Sequence, residues 1–166
     1  MLDLNRLAEA LTERALTVAV GESATGGLLS YLLSSAPGAS RYFLGAVTAY
    51  ANDAKSELLA VPDDAFAGGA VSEPVALAMA RGARALFRAD VAIADTGIAG
   101  PGGATDTKPV GLFYVALSAR RALSARDGYE TVRTLHLTGD REQVRRAAAD
   151  AALTLLAEYA DALPTP

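Results

Sequence analysis

The sequence predicts a single three-layer α/β/α domain over residues 1–163, with a mixed sheet of about five strands and a short tail at 164–166. Three observations carry this. Helix-like and strand-like segments alternate through the first half, and strand–helix–strand connections imply parallel pairing with right-handed crossovers. The strand-like segments after residue 90 are joined by loops alone, which permits antiparallel pairing. The chain has 166 residues, 51% of them hydrophobic, enough for one well-buried core, and no repeat or composition break marks a linker.

Taken in order, Leu4, Leu7, Leu11 and Ala15 recur at helical spacing and give an amphipathic helix to about residue 15. Leu16 to Val20 is a short apolar run suited to a buried strand, followed by Gly21 to Gly27 and a helical-looking stretch from Leu28 to Leu33. A second strand fits Phe43 to Tyr50, and a short helix follows Asn52-Asp53 until Pro62 stops it. Ser72-Glu73-Pro74 supplies a capping hydroxyl, an early carboxylate and an early proline, which predicts a helix from about Pro74 to Phe87. Val91 to Asp95 reads as a third buried strand and Gly97 to Pro109 as a glycine-rich loop. Strands follow near Val110 to Leu117 and Tyr129 to Leu137. Asp140 with Gln143 resembles a capping box, opening a long helix whose apolar stripe is Val144, Ala148, Ala151, Leu155 and Tyr159.

The net charge of −4 argues against broad electrostatic binding to nucleic acid, while leaving room for a local basic site for one phosphate. The chain has no cysteine, which excludes disulfides and thiolate metal sites. Asp3, Arg6 and Glu9 do not make a signal peptide, and no apolar run approaches membrane-spanning length. The expectation is a cytoplasmic protein with no membrane partner. His136, the one histidine, lies on a strand without the spacing of a metal site, so no metal is expected.

Thirteen arginines and only two lysines, Lys55 and Lys108, carry the positive charge. Arginine stays protonated, whereas a desolvated lysine can lose its proton and act as a base. With one histidine and no cysteine, a serine assisted by lysine is the first catalytic arrangement to consider.

Four segments could carry that chemistry. Ser23, at a strand's carboxyl end before the glycines of Thr25-Gly26-Gly27, sits where backbone N–H groups converge on a phosphate or an oxyanion; equally, Ser23 or Thr25 could simply cap the helix. In Tyr50-Ala51-Asn52-Asp53-Ala54-Lys55 the lysine can reach the carboxyl edge of a sheet, or stand solvated at a helix start. The loop from Thr96 and Gly97 through Gly100 to Lys108 allows close backbone approach to a ligand, or is a long surface connection. Arg141, in a first helical turn, is placed against the helix dipole, a conflict that a bound anion or Glu142 would relieve. Arg120-Arg121 and Arg145-Arg146 read as solvated faces.

Together these segments resemble the CinA C-terminal domain family, which includes nicotinamide mononucleotide deamidases. The matching strings are Gly21-Glu22-Ser23-Ala24-Thr25-Gly26-Gly27, Pro37-Gly38-Ala39-Ser40 with Tyr42-Phe43, and Tyr50 to Lys55. They continue with Gly69-Ala70-Val71-Ser72-Glu73-Pro74, Thr96 to Gly103, Lys108-Pro109-Val110-Gly111 and Gly139-Asp140-Arg141. The resemblance runs in unbroken order over roughly residues 5 to 160. Ala24 replaces a common cysteine, Gly68 stands where a histidine often precedes Gly-Ala-Val-Ser, and Ala39 replaces the first of two serines. The likeness does not extend to the separate N-terminal domain of longer relatives, so no activity of that domain is carried over.

The resemblance implies a metal- and cofactor-free amidohydrolase that converts nicotinamide mononucleotide to nicotinate mononucleotide and ammonia. Ser23 would be the nucleophile, Lys55 the general base and Tyr50 an orienting group. Thr25, Gly26, Ser40, Asn52, Thr96, Gly97 and Gly100 would line the pocket, and Arg141 would hold the phosphate. A homo-oligomer is implied as well. The alternative is a nucleotide-binding or oligomerising module of the same fold that catalyses nothing.

Overall fold

The computed structural model describes residues 2–120 and 128–164 and shows an α/β fold with a five-stranded mixed sheet. Helix α1 (Leu4–Glu13) leads into β1 (Val18–Glu22), then α2 (Leu28–Ser35) and β2 (Phe43–Thr48). Next come α3 (Asn52–Leu59), α4 (Glu73–Phe87), β3 (Val91–Gly97), β4 (Leu112–Ala119), β5 (Tyr129–His136) and α5 (Arg141–Ala162). The strand order is β2-β1-β3-β4-β5; β1 runs parallel to β2 and β3, and β3–β4 and β4–β5 are antiparallel. The β1–β2 and β2–β3 crossovers carry helices and the β3–β4 connection is a loop, as the alternation of segments predicts.

Several boundaries move: β2 ends at Thr48 where Tyr50 was expected, β3 runs to Gly97 where Asp95 was expected, and β4 covers Leu112–Ala119 where Val110 to Leu117 was expected. Helix α1 ends at Glu13 because Ala15 takes a left-handed backbone (φ 51°) and the Leu16 N–H folds back on the Leu11 carbonyl. Strand β1 therefore starts at Val18 and runs past Val20, so that Glu22 belongs to the strand and is wholly buried.

The two faces of the sheet differ in side-chain size, and this sets the layers. Val18, Val20, Val91, Ile93, Val115 and Leu117 face α1, α2 and α5 in one core. Ala19, Ala92, Ala94 and Ala116 face α4, whose Ala76, Met79, Ala80 and Ala83 fill the opposite core. Small residues on both sides let α4 lie close to the sheet, where dispersion contacts are densest. Helix α3 is drawn equally close: a Cβ on Gly82 of α4 would lie 1.9 Å from the Leu59 carbonyl oxygen at the end of α3. Glycine is required there, and the crossing fixes the helix that carries Lys55.

The starts of α5 and α4 show a sequence signal kept and one lost. Asp140 and Gln143 form the expected reciprocal capping box on α5. Ser72 occupies the N-cap position of α4, yet its hydroxyl turns back to the Gly69 carbonyl at 2.9 Å instead of capping. In α5 the buried stripe takes in Val144, Ala148, Leu155 and Tyr159 as expected, but Ala152 where Ala151 was expected. Arg120 is exposed and its neighbour Arg121 lies outside the described residues. Among the described residues no helix is long and apolar enough to cross a membrane.

Candidate active site

Three strand ends meet at one edge of the sheet. Gly21 of β1 stands beside Ala94 of β3, and Glu22 beside Thr48 of β2, so the segments leaving all three strands emerge together. These are the β1–α2 loop with Ser23, the β2–α3 loop with Tyr50, and the β3–β4 loop from Thr96 onward. Ligands in open α/β sheets bind at this carboxyl edge.

The β1–α2 loop is held by two carboxylates. Asp95, at the end of β3 and wholly buried, accepts the N–H of Ser23 at 3.2 Å, of Ala24 at 2.9 Å and of Thr25 at 3.1 Å. It also touches the Thr25 hydroxyl. Glu22 accepts the N–H of Gly27 at 2.8 Å and of Leu29 and Ser30 at 3.0 Å, the Thr25 hydroxyl at 2.9 Å, and the Ser30 hydroxyl. The N–H groups of Ser23, Ala24 and Thr25 are satisfied by the protein's own carboxylate, so they do not converge on an open anion site. Nor does Ser23 or Thr25 cap α2: Gly27 (φ 96°) is its N-cap, and Glu22 supplies the acceptor. Thr25, expected among the ligand contacts, is buried with its hydroxyl turned to the two carboxylates.

Lys55 lies on the buried side of α3, 2% exposed, and its Nζ donates to the Tyr50 carbonyl at 2.8 Å. Burial pushes its pKa down, and the negative charge of Asp95 opposes that shift. The lysine is thus desolvated within the field of the carboxylate that holds the Ser23 backbone. Ser23 itself is 7% exposed. Burial pushes the Asp95 carboxyl up to about 6, against the hydrogen bonds from Thr25 and Ser23 that favour its charged form.

Arg141 closes the edge from above. Its guanidinium donates to the Gly100 carbonyl at 2.6 Å and to the Tyr50 hydroxyl at 3.2 Å, tying the start of α5 to both other loops. Those neutral acceptors now offset its position against the helix dipole. One turn further, Arg145 is half-buried, not merely solvated: it donates to the Thr25 carbonyl, lies over Gly26 and pairs with Glu142 at 3.5 Å. Arg146 is exposed as expected and pairs with Glu142 at 2.8 Å.

On the other flank, Lys108 reaches from the β3–β4 loop to the Gly68 carbonyl and, at 2.6 Å, to that of Val71. Thr96, 1% exposed, donates to the Ala70 carbonyl at 2.9 Å. Gly97 owes its lack of a side chain to packing, since a Cβ there would lie 2.2 Å from the Phe113 ring. Gly100 has φ +79°, and a Cβ would meet Val110 at 2.7 Å.

The structure thus brings Ser23, Thr25, Gly26, Tyr50, Lys55, Thr96, Gly97, Gly100 and Arg141 to one edge, with Asn52 exposed on the first turn of α3 beside them. Ser40 is not brought there. It lies in the turn before β2, next to the start of β1, since the Val18 N–H bonds the Tyr42 carbonyl. A five-residue strand, roughly 16 Å of extended chain, separates that end from Ser23. Asp95, the capping role of Glu22, and Arg145 were missed. Asp95 had a signal, a lone carboxylate closing an apolar strand; Arg145 had one too, since it follows Arg141 by four and shares its helix face. Among the described residues no group of three or more histidines or carboxylates is placed to hold a metal ion.

This is a doubly flanked α/β sheet with a polar cluster of a serine, a lysine and carboxylates at the ends of its parallel strands. The sequence profile of the CinA C-terminal domain matches residues 4–160, and the chain belongs to that family. A CinA-like protein of Mycobacterium sp. (strain JLS) is 53% identical over 84% of the chain and 32% of its own length. One of Geobacter metallireducens is 45% identical over 90% and 35%, so the chain spans about a third of the curated relatives it matches. Two crystal structures share the fold closely. The competence/damage inducible protein CihA of Agrobacterium tumefaciens has TM-score 0.85 at 35% identity, covering 97% of both chains. A CinA superfamily protein of Klebsiella pneumoniae has TM-score 0.87 at 31% identity, covering 95% of both.

Proposed function

We propose that this chain hydrolyses the amide of nicotinamide mononucleotide, giving nicotinate mononucleotide and ammonia. Ser23 Oγ attacks the carboxamide carbon and its proton passes to Lys55 Nζ. The tetrahedral intermediate collapses as ammonia leaves with that proton, and water then cleaves the ester to release the carboxylate and restore Ser23. The Lys55 ammonium formed in the first step lies in a desolvated site, where it offsets the oxyanion's charge. Arg141 exchanges its Gly100 and Tyr50 partners for the substrate phosphate, to which a guanidinium binds more strongly than to neutral acceptors. Neither metal nor cofactor is used. A small anionic nucleotide, not nucleic acid, is the fitting ligand for an acidic chain with two local arginines, and a cytoplasmic homo-oligomer is the setting we infer.

The observation that carries this is the burial of Lys55, 2% exposed with a neutral carbonyl as its hydrogen-bond partner. A solvated helix-start lysine would have neither feature. The experiment is incubation of the full chain with nicotinamide mononucleotide and measurement of ammonia. The wild type releases it, and Ser23→Ala loses turnover by about three orders of magnitude or more while still binding the nucleotide. Unchanged turnover in Ser23→Ala would remove the assigned nucleophile.

One observation favours a second reading, a nucleotide-binding module without turnover: Asp95 already occupies the N–H groups of Ser23, Ala24 and Thr25. Nucleotide binding without ammonia release from the wild type would decide for it.

A further inference from the structure

The Thr25 hydroxyl poses a problem of proton count. It has one hydrogen, yet its oxygen lies 2.9 Å from Glu22 Oε2 and within hydrogen-bonding distance of Asp95 Oδ1. All three residues are wholly buried, so water cannot separate them. If both carboxyls are ionised, one of these contacts sets a hydroxyl lone pair against a carboxylate lone pair in a low-dielectric interior. A second proton between the oxygens removes the conflict.

The donor sets decide where that proton sits. Glu22 is surrounded by five donors, three backbone N–H groups and the hydroxyls of Thr25 and Ser30, and Oε2 already takes two N–H groups at 2.8 and 3.0 Å. That shell suits an ionised carboxylate. Asp95 has three N–H donors, and Oδ1 receives only the longest of them, from Ser23 at 3.2 Å. A proton on Oδ1 disturbs one weak bond; a proton on Oε2 would disturb two good ones.

We propose that Asp95 is a protonated carboxyl that donates from Oδ1 to the Thr25 hydroxyl, which donates in turn to an ionised Glu22, so that the buried chain of three carries one added proton and one negative charge. Burial of Asp95 and the nearby charge of Glu22 both favour this form. The charged groups around Asp95 are Glu22 from β1 and Lys55 from α3; Arg145 of α5 reaches the Thr25 carbonyl, and the facing residue on β4 is the apolar Val115.

Asp95 thereby becomes a positioning residue with two effects. It holds the β1–α2 loop whether or not it is charged, because Oδ2 keeps the N–H donors of Ala24 and Thr25, the residues that follow Ser23, in either state. While neutral, it places no negative charge beside Lys55, so burial alone governs that amine. This second effect rests on the proposed hydrolysis; the proton count does not.

The test is a carbon-13 titration of the aspartate side-chain carboxyls in the full wild-type chain, assigned through bonded connectivity so that no variant need fold. At pH 5.5 an ordinary aspartate is ionised to roughly nine-tenths or more. The Asp95 carboxyl is expected to remain largely protonated there and to titrate about two pH units above the exposed aspartates, while a parallel glutamate titration finds Glu22 ionised at the same pH. An Asp95 carboxyl ionised along with the exposed aspartates would overturn the proposal, and so would a protonated Glu22 beside an ionised Asp95. Neither result depends on ammonia release, so failure here and failure of the proposed reaction are separately visible.

Discussion

Two irregular segments flank the site, and they are secured in opposite ways. The β1–α2 loop and the first turn of α2 point N–H groups inward, and six of them, four from the loop, end on the buried carboxyls of Asp95 and Glu22. The segment from Gly68 to Val71 instead presents four consecutive carbonyls, which take donors from Lys108, Ser72, Thr96 and Lys108 again. The first arrangement concentrates acceptors in the interior, where ionisation is costly and protonation matters. The second spreads hydroxyl and ammonium donors along a strip that is exposed at Gly68 and Gly69 and half-buried at Ala70 and Val71. Ser23, the proposed nucleophile, sits on the first and Lys108 closes the second, so the difference marks one wall of the site as pH-sensitive and the other as a mechanical clasp.

Removing the charge at Glu22 is the largest way to break that contrast. Glu22→Gln keeps the shape but turns a donor, the amide NH2, toward N–H or hydroxyl groups that already donate. The expected loss is about 3–5 kcal/mol of stability by denaturant unfolding, as for a broken buried charge network. A loss below about 1 kcal/mol would show that Glu22 is not the cap of α2.

Asp95→Asn sharpens the comparison through pH. The folded-state pKa of Asp95, about 6, lies above the ordinary aspartate value, so the folded form holds the proton more tightly. The stability it adds is complete below the unfolded pKa near 4 and is lost as pH rises through about 6. Relative to Asp95→Asn, the wild type should lose on the order of 2–3 kcal/mol between pH 4 and pH 7. Parallel pH profiles for the two chains would show that Asp95 is not perturbed.

A smaller effect is expected on the clasp. Lys108→Met removes two hydrogen bonds to partly exposed carbonyls and should cost about 1–2 kcal/mol, with faster amide exchange around Gly68 to Ser72 and little change at Ser23. Equal loosening of both walls would mean that they are one cooperative unit.

Much of the fold was legible because periodicity and turn chemistry agree: the alternating segments and the capping box at Asp140 read directly, whereas α3 ends at Leu59, with Ala60 left-handed, before the Pro62 that was expected to stop it. Strand order was not, since nothing local says that β1 pairs with both β2 and β3. That omission hid the site's polar core. Asp95 looks like the boundary of an apolar strand until pairing sets it beside the Ser23 loop, and the donors that seemed free for a ligand are then seen to be filled. Ser40 misled for a related reason: closeness in a motif string says nothing about which end of a strand a residue occupies. Lys55 could be singled out beforehand because lysine is so scarce in this chain, and its burial gives that scarcity a physical meaning.

The most direct measurement is ammonia release from nicotinamide mononucleotide by Lys55→Arg set against the wild type. An amine that must shed its proton cannot be replaced by a guanidinium, which stays charged, so the variant should bind nucleotide yet release no ammonia above the uncatalysed rate. Turnover by Lys55→Arg near the wild-type rate would contradict the role of a neutral buried lysine as the base.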